Sequence, residues 1–138
     1  MPAITDIIIN KSVEAVWAII ADASTHPHWL SADCVTTYEG ELAEGTKFTR
    51  FNTRLRESVQ GEVVALRPST FLKVRMDAPG DAFFITEYHL LSTSEGCALR
   101  VIFELFDTGK KRHGYYPEVI EEQWRGNLVR LKGLCEAA

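Results

Sequence analysis

Between residues 70 and 106 apolar and polar positions alternate. Leu72, Val74 and Met76 share one parity, with Lys73 and Arg75 on the other. Thr86, Tyr88 and Leu90 alternate with Glu87 and His89, and Leu99, Val101, Phe103 and Leu105 with Arg100 and Glu104. A period of two marks strands with one apolar and one polar face. The strand-like segments are CVTTYEGEL (34–42), TKFTRFNTRLR (46–56), SVQGEVVALRP (58–68), TFLKVRM (70–76), AFFITEYHLL (82–91) and CALRVIFELF (97–106). Turn signals separate them: Glu44-Gly45, Arg67-Pro68-Ser69, Ala78-Pro79-Gly80-Asp81 and Ser94-Glu95-Gly96. Connections this short predict an antiparallel meander with one apolar and one charged face.

The two ends of the chain carry other patterns. ITDIIIN (4–10) is a β-branched run and reads as a strand. Ser12 then caps a helix whose apolar stripe is Val13, Val16, Trp17 and Ile20. Asp22 and Ser24 break the stripe. Ser24 or Thr25 caps a second short turn with Pro27 near its start, and Trp29 and Leu30 turn inward. The closing YYPEVIEEQWRGNLVRLKGLCEAA (115–138) has Pro117 and the acids Glu118, Glu121 and Glu122 at a helix start. Ile120, Trp124, Leu128, Leu131 and Cys135 then recur at three- and four-residue steps. This long amphipathic helix can lie across the apolar face of the sheet. The expected class is α+β: a curved antiparallel sheet of about six or seven strands around a long C-terminal helix, with two short helices after the first strand. Such a sheet leaves space between itself and the helix.

Composition narrows the function. The 138 residues suit one domain, 1–138, with one core. A net charge of −4 argues against a nucleic-acid partner. No apolar run approaches the roughly 18 residues of a membrane span. The opening MPAITDIIIN has no basic stretch before its apolar run, so no signal peptide is expected. Cys34, Cys97 and Cys135 are odd in number and widely spaced, which points to free thiols in a reducing cytoplasm.

Four stretches carry a resemblance. SVEAVWAIIADASTHPHWL (12–30) resembles an opening helix pair that ends in Trp. EGTKF (44–48) resembles a Gly-Thr-x-Phe strand start. GEVVALRPSTFLKVRM (61–76) and WRGNLVRLKGLCE (124–136) resemble a central hairpin and a terminal helix. Together they resemble the helix-grip fold of the birch-pollen-allergen superfamily, which includes START lipid-transfer domains and aromatic polyketide cyclases (SRPBCC). The terminal helix tilts the likeness toward homologues of the activator of the heat-shock-protein-90 ATPase. The resemblance implies the fold strongly and the function weakly, because this fold hosts binding, transfer and catalysis alike.

The candidate lining of a pocket is Trp17, Phe48, Leu72, Val74, Met76, Tyr88, Leu90, Val101, Phe103, Trp124 and Leu128, with Trp29 at its rim. The alternative is that these residues fill a solid core. Gly126 and Gly133 on the helix, and Thr86 on the sheet, leave room for a cavity. Tyr88, Arg50, Asn52 and Thr86 are the polar groups that could orient a ligand. Arg50 shares its parity with Phe48; if it points inward it needs an acid partner or an anionic ligand. Phe51 and Leu55 on the other parity favour a bulge that puts the arginines in water.

HPHW (26–29) reads as a helix-to-helix corner with exposed histidines and Trp29 as a buried anchor. No third residue makes its histidines a justified metal site. Glu87, His89, Arg100 and Glu104 read as salt bridges on the polar face. DTGKKRHGYY (107–116) is a basic loop beside the helix start and a candidate lid. No catalytic motif is present, and neither a metal nor a cofactor is expected.

The expected function is binding or carriage of a small hydrophobic or amphipathic molecule between sheet and helix. One alternative is a cyclase, dehydratase or hydrolase on the same pocket, with a titratable group of perturbed pKa inside it. The other is a protein-interaction module with a filled core and an exposed apolar patch. The oligomeric state stays open, a homodimer included.

Overall fold

The computed structural model describes residues 2–78, 80–106 and 116–138. The elements are β1 (Ala3–Ile9), α1 (Val13–Ala21), α2 (His26–Trp29), β2 (Cys34–Tyr38), β3 (Lys47–Asn52), β4 (Glu57–Arg67), β5 (Phe71–Asp77), β6 (Phe83–Thr93), β7 (Gly96–Phe106) and α3 (Pro117–Ala137). One seven-stranded antiparallel sheet runs in the order β1-β7-β6-β5-β4-β3-β2. This is the expected meander, with the first strand added beside the last. Gly96 makes the β6–β7 turn at φ +133°; a side chain there would meet the Ile9 carbonyl oxygen at 2.6 Å.

Local chemistry places the short helices. The Ser12 hydroxyl accepts the Ala15 N–H at 3.1 Å and caps α1. A single 3-10 turn, Ala23–Thr25, follows, capped by the Asp22 carboxylate on the Ser24 N–H. Thr25 does not cap α2. Its hydroxyl turns back to the carbonyls of Ile19 and Asp22, at 2.6 and 2.7 Å, and receives the Trp29 indole N–H at 3.1 Å. The corner is thus tied by one threonine.

The register sets the inner face in rows. Ala3, Phe103, Thr86, Val74 and Val63 form one row, and Thr5, Val101, Tyr88 and Leu72 the next. Helix α3 covers these rows with Trp124, Leu128, Leu131 and Cys135, all buried. The Trp124 ring meets Tyr88 edge-on at 5.9 Å and Phe103 at 6.4 Å. Trp124 thus docks the helix on β6 and β7. Gly126 and Gly133 do not open a space under it: they fall off the buried stripe, and a methyl at Gly133 would meet nothing.

α3 also seals the free edge of β1. Glu121 accepts from the Ile4 N–H at 3.4 Å, Lys132 donates to the Ile8 carbonyl at 2.7 Å, and Glu136 accepts from the Asn10 N–H at 2.8 Å. These side chains occupy groups that could template another strand.

The outer face departs from the expected charged surface. Arg100 holds Asp6 with two bonds of 2.7 and 3.0 Å, and His89 stands on the other side of Arg100. Apolar rows flank this polar row: Ile4 beside Ile102, and Ile8, Ala98 and Leu91 in line. Ile4, Ile8 and Leu91 are exposed. The Glu87–His89 pair, 2.8 Å apart, runs along β6 rather than across strands. No helix among the described residues is long and apolar enough to cross a membrane.

Candidate ligand-binding site

The chemistry gathers where β2, β3 and α2 meet. Arg50 on β3 lies directly opposite Thr36 on β2. Its Nε–H donates to the Thr36 hydroxyl at 3.1 Å, and its Nη1 donates to the Met76 sulfur at 3.0 Å. The guanidinium sits 5.3 Å from the centroid of the Phe48 ring. Arg50 therefore turns inward and is half-buried, against the expectation that it stands in water. Gly61, between Phe48 and Met76 in the same row, leaves the Phe48 ring the space it fills.

His26 corrects a second expectation. It is 3% exposed, while His28 is exposed. Its Nε2 is 3.0 Å from the Ile20 carbonyl, which can only accept, so Nε2 carries the proton. Its Nδ1, 2.9 Å from the Thr36 hydroxyl, is then the acceptor. Burial lowers its pKa to about 4; the Ile20 bond opposes this, and the Arg50 charge adds to it. The bonds run one way, from Arg50 through Thr36 and His26 to Ile20. Thr36 is fixed by this chain, and Thr36 in turn fixes Arg50.

Arg50 stands between two spaces. Inward is a cavity of about 10 Å³, lined by Ile20, His26, Tyr38, Phe48, Val63 and Tyr88 among others. That is room for about one water, so among the described residues this part of the inner face is filled by side chains. Outward is an open cleft of about 340 Å³, lined by Leu30, Ser31, Cys34, Phe51, Asn52, Leu55, Glu57, Val59 and Met76 as well as Arg50. Burial raises the pKa of Tyr88 and of Tyr38, so both remain hydrogen-bond donors. Tyr38 already donates to the Ala21 carbonyl at 3.1 Å.

A family model described as polyketide cyclase / dehydrase and lipid transport matches residues 4–136. The chain belongs to this family. Solved structures of similar fold include protein MLL2253 from Mesorhizobium loti, at 17% identity over 100% of this chain and 98% of that one, with a TM-score of 0.82. An AHSA1-like protein from Aeromonas hydrophila is 21% identical over 99% and 93% of the two chains, with a TM-score of 0.73. DynU16, of the dynemicin biosynthetic locus, is 16% identical over 98% of this chain and 47% of its own, with a TM-score of 0.74. At such identities the likeness is one of fold. Curated proteins give no match.

In this member of the family, the expected lining divides. Phe48, Leu72, Val74 and Tyr88 border the small cavity, Met76 the cleft, and Arg50 both. Trp29, Thr86, Val101, Phe103, Trp124 and Leu128 line neither space and pack in or against the core. Trp17 is half-buried on α1 and also lines neither. Asn52 reaches the cleft, but its side-chain oxygen already accepts from the N–H groups of Arg54 and Leu55.

His26, Thr36, Tyr38 and Cys34 were not expected at the site. The signal for His26 was there: it precedes buried Trp29 by three residues and so shares its helix face. Thr36 and Tyr38 follow from the parity of Cys34. Of the candidate lid, 107–116, all but Tyr116 lies outside the described residues.

Proposed function

We propose that the protein binds a small amphipathic molecule in the cleft between the end of α2 and strands β2–β4. The observation that carries this is a cleft of about 340 Å³ whose inner wall is a half-buried cation beside a thioether. Its volume falls at the lower end of small-molecule sites, roughly 300–1,000 Å³. The family's description, joining cyclase chemistry to lipid transport, supports the same reading. His26 has the perturbed pKa that a catalytic role calls for, but both its ring nitrogens are engaged. It positions Thr36 and Arg50, and the proposed activity is binding rather than turnover. Three free cysteines support a reducing, cytoplasmic setting.

Native mass spectrometry of freshly purified protein tests the reading. A stoichiometric organic molecule released on denaturation is the expected result. A bare mass, together with no perturbation of Met76 by any of a set of amphiphiles, overturns it.

A second reading, protein interaction, rests on the outer face. A groove of about 720 Å³ there is lined by Ile8, Leu91, Ala98 and Ile102 around Asp6, Arg100 and His89. A self-association abolished by Leu91→Asp supports this reading, and a monomer at all concentrations counts against pairing of copies.

A further inference from the structure

The positive charge of Arg50 is the least explained feature of the cleft. Arg54, Arg75 and Arg100 have side chains 72%, 48% and 55% exposed, and each stands near a carboxylate, that of Asp33, Asp77 and Asp6 respectively. Those charges need a partner least, since water already solvates them. Arg50 is half-buried, yet among the described residues no carboxylate is paired with it. A permanently charged group taken partly out of water is costly unless an anion meets it.

We infer that the molecule taken by this cleft is an apolar acid whose carboxylate is received by Arg50. This rests on the reading that the cleft binds a small molecule, and adds the chemistry of its head group. Of the guanidinium's five hydrogens, one goes to Thr36 and one to the Met76 sulfur, a weak acceptor. The others remain to grip two carboxylate oxygens in the planar fork that arginine offers.

The group is aimed in advance. The Thr36 hydroxyl gives its proton to His26 and so presents lone pairs to Arg50. His26 is neutral and adds no second positive charge. Tyr88 borders the small adjoining cavity, within the field of Arg50. Leu30, Val59 and Met76 supply apolar wall for the body of the acid, while Glu57 stands exposed and repels a carboxylate from the outer rim. Head inward and tail along the cleft is the orientation this charge layout favours.

Decanoate and decanol, which share a tail and differ in the head, test the inference by titration into the full chain followed by ¹⁵N–¹H and methyl spectra. Decanoate is expected to bind at least tenfold tighter than decanol and to shift the Arg50 Nε–H peak, which decanol leaves in place. Arg50→Gln should bring decanoate down to the decanol level and leave decanol unchanged. Arg50→Lys, which keeps the charge but not the fork, should recover part of the loss. Unchanged core methyl peaks of Leu131 confirm that each variant is folded. Equal binding of the two compounds, unaffected by Arg50→Gln, overturns the acid inference and leaves the cleft reading standing. If neither compound moves the Met76 or Leu30 methyls, both readings fall.

Discussion

The Phe48 ring lies over Gly61, its direct partner across β3 and β4. A methyl on Gly61 would fall inside the contact distance of that ring, which is 1% exposed and also packed edge-on against Tyr38 at 6.2 Å. Gly61→Ala should therefore destabilise the fold by about 1–3 kcal/mol. Urea unfolding measures it; a loss under about 0.5 kcal/mol would mean that the ring can swing aside.

Acid should weaken the fold through His26. Its pKa is about 4 when folded, against 6.5 as the ordinary value. Between these values the unfolded chain binds the proton and the folded one does not, so stability is full above pH 6.5 and falls as the pH drops toward 4. The loss across that window is about 3 kcal/mol. Unfolding at pH 7 and pH 4.5 tests this, with His26→Gln as the control that should flatten the difference. An equal pH dependence in the variant assigns the effect elsewhere.

Trp124 holds α3 to the sheet through Tyr88 and Phe103. Trp124→Ala should cost about 3–5 kcal/mol. A change below about 1 kcal/mol in thermal or urea unfolding would show the helix is not docked by this residue.

Glu87 bonds His89 on the outer face, opposite the side that bears Tyr88. Glu87→Gln should leave decanoate affinity unchanged. A tenfold loss in the same titration would put the outer face at the site.

The sequence makes the meander legible because β5, β6 and β7 alternate cleanly, and α3 because its stripe recurs through Cys135. The outer apolar rows were hidden: Ile7-Ile8-Ile9 is apolar on both parities, so no face could be read from it. Arg50 has the inward parity, yet Phe51 and Leu55 argued the other way. What decides is the register of β2, β3 and β4, which sets Thr36 opposite Arg50 and Gly61 opposite Phe48. Such pairings link residues that a linear reading keeps apart. His26 was readable from Trp29, but its two partners arrive only with the tertiary fold. The small volume beside Phe48 and Tyr88 was not legible either, because side-chain packing is set by the tertiary fold.

β1 pairs with β7, Ala3 facing Phe103 a hundred residues later. On a ribosome adding about 5–20 residues per second, the first strand waits about 5–20 seconds for its neighbour, and longer for the α3 side chains that seal its edge. Ile7-Ile8-Ile9 spends that interval without its native partner. The β1–β7 pairing therefore closes late, and of its two strands β1 is the one longer exposed to mispairing.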